Sequence, residues 1–243
     1  MIDMIGAIAG TAVYAVLVGV LVGFSPVGGP TRLAAFAAAA GWGGIIVAVA
    51  ALGGFAPGAT GPFPAPVFAF VGFLTLLFGG WFLLPRFRSA LLSVPLPALV
   101  GLNAARLGGV FFLILAADGR LSAPFAPVAG AGDMVVAVLA IPLAAMAARG
   151  AQERPAWLGA WNALGALDLI IAVSLGLLSA PNTPFRVFTE GPGTLAMTAL
   201  PWIMVPAILV PLYLLVHFTI AVKLRSLPPV TSERLVSPVR VRG

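Results

Sequence analysis

The chain has 243 residues, 61% of them hydrophobic and 8% charged, with a formal net charge of +6 at pH 7 and a mean hydropathy of +1.12. Soluble domains carry about 25% charged residues, so this sequence has too little polar surface to cover a water-soluble globule, and a bilayer is the implied solvent. The absence of cysteine excludes disulfides, thiolate metal sites, iron–sulfur clusters and cysteine nucleophiles.

A hydrocarbon core of about 30 Å takes about 20 helical residues to cross. Seven apolar runs are that long, and they fall at 4–24, 33–53, 66–84, 97–117, 128–148, 157–179 and 196–222. The sequence therefore predicts an all-α, polytopic membrane bundle over residues 1–225 and a basic, proline-containing tail over 226–243. The first run lacks the basic flank and cleavage site of a secretory signal and reads as a membrane span. Its Gly6-x-x-x-Gly10 and Gly19-x-x-x-Gly23 spacings suit close helix contact. Turn chemistry separates the runs at Ser25–Pro30, Ala56–Pro62 and Ala180–Pro184. The stretch 85–96 fits either a loop or a short interfacial segment. The tail reads as a disordered terminus that anchors topology or touches anionic headgroups.

Basic residues set the orientation. Arg32, Arg86, Arg88, Arg149, Arg154, Lys223, Arg225, Arg234, Arg240 and Arg242 fall on one side of these spans, against Arg120 and Arg186 on the other. By the positive-inside rule the N-terminus lies outside and the C-terminus in the cytoplasm. The same placement argues against nucleic acid as a partner. Arginine in place of lysine, with abundant alanine, fits a GC-rich bacterial genome, which makes the bacterial inner membrane the expected location.

Two charges interrupt the apolar runs. Arg106 lies near the middle of 97–117 and Asp168 in the middle of 157–179. A charge at a bilayer centre costs roughly 2.5–3.5 kcal/mol, so such residues face the bundle interior and pair. Their matching depth predicts an Arg106–Asp168 pair. Asn103 lies three residues before Arg106 and Trp161 seven before Asp168, so each shares its helix face. Asn162 lies at the depth of His217, the only histidine, and the two are placed to hydrogen-bond. Asp133 is expected near the outer end of 128–148, in a vestibule with Asp118, Arg120 and Glu190 or as an anion at a helix N-terminus. In the last span Pro201, Pro206 and Pro211 free the carbonyls of Met197, Trp202 and Ala207.

Several chemistries are excluded. The last span carries no lysine for a retinal Schiff base, one histidine cannot provide bis-histidine haem, and GxSxG, HExxH and Walker motifs are absent. The Gly130-x-Gly132 pair is no nucleotide loop, because no strand precedes it. The remaining readings differ in class. In one, the protein binds or moves a small ligand at a pocket between the 97–117, 157–179 and 196–222 spans. There Arg106 holds an anionic group, Asp168 is its counter-ion or a proton site, and Asn103, Trp161 and Asn162 shape the walls. In the other, Arg106–Asp168 is a structural clasp in an accessory subunit whose first span meets a protein partner or a second copy. An intramembrane enzyme using Asp168 or His217 is a third reading, with no second catalytic group in view. No cofactor is specified.

The stretches Gly101–Phe112 (GLNAARLGGVFF), Phe125–Asp133 (FAPVAGAGD) and Trp161–Asp168 (WNALGALD), with the terminal Leu215–Phe218 (LVHF), resemble a group of uncharacterised bacterial seven-helix membrane proteins. The resemblance covers about the C-terminal 150 residues. It implies the topology and no activity.

Overall fold

The computed structural model describes residues 1–149 and 156–227, and among them every regular element is helical. A chain surrounded by hydrocarbon satisfies its backbone polar groups within each segment, which favours helices. Eight helices follow one another: α1 Ile2–Gly23, α2 Gly29–Ala51, α3 Ala65–Leu83, α4 Pro85–Ser93, α5 Leu96–Ala117, α6 Phe125–Ala148, α7 Ala156–Leu178 and α8 Val205–Ser226. All but α4 are long and apolar enough to cross a membrane, which suggests a multi-pass membrane protein. The segment 85–96, left open by the sequence, forms α4, with Pro85 in its first turn. The tail from residue 228 and Arg154 lie outside the described residues.

The bundle has two ends. At one, Asp3 at the start of α1 pairs with Arg120 after α5, and Phe63 after α2 packs on Phe185 after α7 at 5.5 Å. At the other, Ser93 at the end of α4 donates to the Phe24 carbonyl, and Lys223 of α8 donates to the Leu92 carbonyl. We call these the first and second faces.

Helices α8 and α5 form the centre, with 56% and 44% of their apolar windows buried against 17% and 11% in α1 and α2. Around them α6 packs on α5, α7 on α6 and α8, and α3 on α8. Both central helices depart from α geometry. Asn103–Gly109 of α5 is a 3₁₀ stretch, and Val205–Leu209 of α8 is a turn of π-helix. Irregularities of this kind inside helices often mark functional positions.

The last span differs from the sequence expectation of 196–222. Leu195–Thr198 is a separate 3₁₀ turn, and the continuous helix starts at Val205 and runs on to Ser226. The cause is Pro201: a residue before proline is pushed out of the α region, so Leu200 cannot carry a helix into it. The carbonyl of Ala207, stripped of its usual partner by Pro211, accepts from the Trp42 indole N–H of α2 at 3.3 Å. Trp42 is itself stacked on Phe73 of α3 at 4.9 Å.

Candidate functional site

Arg106 sits in the 3₁₀ stretch of α5, 3% exposed, with its guanidinium pointing into the space between α6, α7 and α8. Four contacts take up four of its five N–H donors. Nε donates to Asp133 Oδ1 of α6 at 2.7 Å, and Nη2 donates to Asp168 Oδ2 of α7. Nη1 donates to the Gly165 carbonyl at 3.2 Å and meets His217 Nε2 of α8 at 3.1 Å. The Tyr213 ring lies beneath the guanidinium at 5.8 Å, a cation–π distance. One side chain thus ties together four helices.

The hydrogen-bond directions fix the state of His217. A guanidinium only donates, so Nε2 must be the accepting nitrogen and the ring is neutral. Its Nδ1–H then donates to Asn162 Oδ1 at 2.9 Å, while Asn162 Nδ2 donates back to the His217 carbonyl at 3.1 Å. Both ring nitrogens are engaged, which leaves no lone pair for a haem iron. Among the described residues no three of His, Asp and Glu come together to hold a metal ion.

Glycines make this approach possible. A Cβ on Gly132 would run into Asp168 Oδ1, and one on Gly165 into the His217 ring. A Cβ on Gly109 would sit 2.9 Å from the Gly130 carbonyl, and one on Gly130 2.9 Å from the Gly109 carbonyl. Backbone thus meets backbone between α5 and α6, while Gly132 of α6 and Gly165 of α7 make room for the Asp168 and His217 side chains, which is how small residues let membrane helices close. The Gly130-x-Gly132-Asp133 stretch is therefore a helix-crossing element that also delivers a carboxylate.

Three positions differ from the sequence expectation. Asp133 is not in an outer vestibule with Asp118, Arg120 and Glu190. Helix α6 starts at Phe125 rather than 128, so Asp133 lies eight residues, about 12 Å, inside the helix and pairs with Arg106. Arg120 pairs instead with Asp3 at 2.9 Å. Asn103 shares the helix with Arg106 but does not reach the cluster. Its Nδ2 donates to the Leu99 carbonyl one turn back at 3.2 Å, and its buried Oδ1 has no partner among the described residues. Trp161 sits against His217, ring centres 5.7 Å apart, and donates to the Val136 carbonyl rather than joining Asp168. The Gly165 carbonyl and Tyr213 belong to the cluster and were not expected. The run of glycines at 109, 130, 132 and 165 was the available signal.

Open space approaches the cluster from both faces. A cavity of about 120 Å³ runs from Phe63, Pro64, Pro181 and Thr183 at the first face, between walls that include Phe112, Phe125, Leu169, Val173, Met197 and Val210, to Asp133. A smaller one of about 80 Å³ lies under α1, between Gly6, Trp202 and Tyr213, and also touches Arg106 and Asp133. From the second face a groove of about 680 Å³ between α3, α7 and α8 passes Arg225 and Leu224, then Asn162 and His217, and runs on to Leu214 and Ile170. Polar groups at the ends of mostly apolar cavities are the usual anatomy of small-ligand sites.

Residues 62–225 match the model of a family described as Domain of unknown function (DUF8737). The chain belongs to that family. The DUF8737 match takes in α3 to α8 and every residue of the cluster, and it leaves α1 and α2 outside. Comparison with curated proteins and with solved structures found no match.

Proposed function

We propose that this DUF8737 protein is a multi-pass protein of the bacterial cytoplasmic membrane that binds a small molecule at the Arg106–Asp133–Asp168–His217 cluster and moves it between the two faces. The second face, with Arg32, Arg86, Arg88, Arg149, Lys223 and Arg225, lies in the cytoplasm, because basic loops stay inside. The first face, with the N-terminus, lies outside. One observation carries the reading: a cavity from the first face reaches Asp133, and a groove from the second face reaches His217, at opposite sides of Arg106. The π turn at Val205–Leu209, which contains Pro206 and is followed by Pro211, is the flexible element a second conformation requires.

The chain has no cysteine, so orientation is tested by single substitutions. Ala59→Cys should react with an impermeant thiol reagent in intact cells, and Arg149→Cys only after lysis. Function is tested by native mass spectrometry of the protein in mild detergent. A stoichiometric small molecule that is lost in the charge-neutral variant Arg106→Gln with Asp133→Asn and Asp168→Asn supports the reading. A clean mass, or one raised only by a second protein chain, overturns it. That outcome favours the second reading, a non-catalytic accessory or scaffold subunit. The observation behind that alternative is that Arg106 is already paired with two acids of its own chain.

A further inference from the structure

We infer that the occupant of the first-face cavity is a lipophilic monocation, a small alkyl or benzyl ammonium whose charged end meets Asp133. The inference rests on the ligand-site reading above and names its substrate class, replacing the anion that Arg106 alone would suggest. Arg106 contributes one positive charge, Asp133 and Asp168 two negative ones. His217 is neutral, because its Nε2 accepts from a guanidinium. Tyr213 donates its phenolic hydrogen to the Leu102 carbonyl at 3.4 Å and is neutral as well. With both carboxylates charged, the cluster carries one net negative charge in an apolar interior, where an unpaired charge is expensive.

The space beside it selects what balances that charge. Asp133 uses Oδ1 for Arg106, and its Oδ2 has no hydrogen-bond partner among the described residues. Asp133 also lies on the wall of the 120 Å³ cavity, which is otherwise lined chiefly by aromatic and aliphatic side chains. An anion entering there would meet a cluster already negative, and an apolar neutral molecule would leave that charge uncompensated. An ammonium on Oδ2 neutralises it, and an apolar body of limited size fills the remainder. For scale, an apolar cavity of ~150 Å³ takes up benzene, so a body with one benzene-sized ring is near the limit, its ammonium arm reaching to Asp133.

The test uses the full chain in zwitterionic nanodiscs and reads the ¹³C-methyl shift of Met197, which lines the cavity. Benzylammonium, benzyl alcohol and benzoate are titrated separately at pH 7, with empty nanodiscs as the blank. Benzylammonium should saturate the shift with a Kd at least tenfold below that of benzyl alcohol, and benzoate should not move it. Asp133→Asn should reduce the ammonium preference to less than twofold. Gly176→Leu should abolish the shift for benzylammonium and benzyl alcohol alike. A Cβ at Gly176 lies an ordinary 3.5 Å from Phe125, so this filling variant tests the site even where Asp133→Asn does not fold. Benzoate binding as tightly as benzylammonium overturns the inference, as does equal binding of the alcohol, or no shift with any of them. If none binds but a co-purified molecule is lost in the charge-neutral triple variant, only the ligand class falls. If neither is seen, the ligand-site reading falls with it.

Discussion

Helices α1 and α2 meet the bundle through aromatic side chains, whereas α5 to α8 meet one another through glycines and a buried charge cluster. Gly6 accepts the Trp202 ring and Trp42 caps Ala207, while Tyr14 of α1 donates to the Ala39 carbonyl of α2 at 2.7 Å and joins the two helices to each other. No one of these contacts commits more than one or two polar groups. In the centre, one guanidinium, two carboxylates, a histidine and an asparagine must all be satisfied together. The two regions therefore fail differently. The periphery loses contacts one at a time, and the centre leaves a charge stranded.

The largest effect should come from Arg106→Leu, which strands two carboxylates. Removing one partner of a buried pair costs about 3–5 kcal/mol, so thermal unfolding in detergent should show loss of most folded protein. Replacing the set together, Arg106→Met with Asp133→Leu and Asp168→Leu, should restore folding, because apolar substitutes for buried ions are commonly neutral or stabilising by about 1–4 kcal/mol. If the triple variant unfolds like the single one, the cost of the single variant does not come from stranded carboxylates. Gly132→Ala comes next. Its Cβ collides with Asp168, and overpacking costs about 1–3 kcal/mol, while Gly10→Ala in α1, with nothing within 4 Å of its Cβ, should be neutral or gain about 0.4–1 kcal/mol. A Gly132→Ala protein as stable as the parent would remove the close crossing from the argument. Trp42→Phe should lose about 1 kcal/mol, because the Ala207 carbonyl has no helical partner below Pro211. The smallest change belongs to Arg120→Gln. Its pair with Asp3 is largely solvent-accessible, with 36% and 50% of the two side chains exposed, and exposed pairs are worth under about 1 kcal/mol. A loss above that would make α1 a more integral part of the bundle than its burial suggests.

The sequence by itself determined seven apolar helices of spanning length, because hydropathy is a local property that a run of side chains carries wherever the helix packs. It also marked Arg106 and Asp168 as interior and set Asn162 at the depth of His217, since depth along a helix follows from counting residues. Rotation and start point do not follow from counting. A three-residue earlier start carries Asp133 from a helix end to the bundle interior, and rotation within α5 turns Asn103 back onto its own backbone while Arg106 reaches three neighbours. Pro201 moves the start of α8 by nine residues, because the residue before proline resists the α conformation. Which nitrogen of His217 carries hydrogen, and how Trp42 comes to satisfy Ala207, were decided only by tertiary contact. Hydrogen-bond partners are chosen across helices, and a sequence lists residues along one chain at a time.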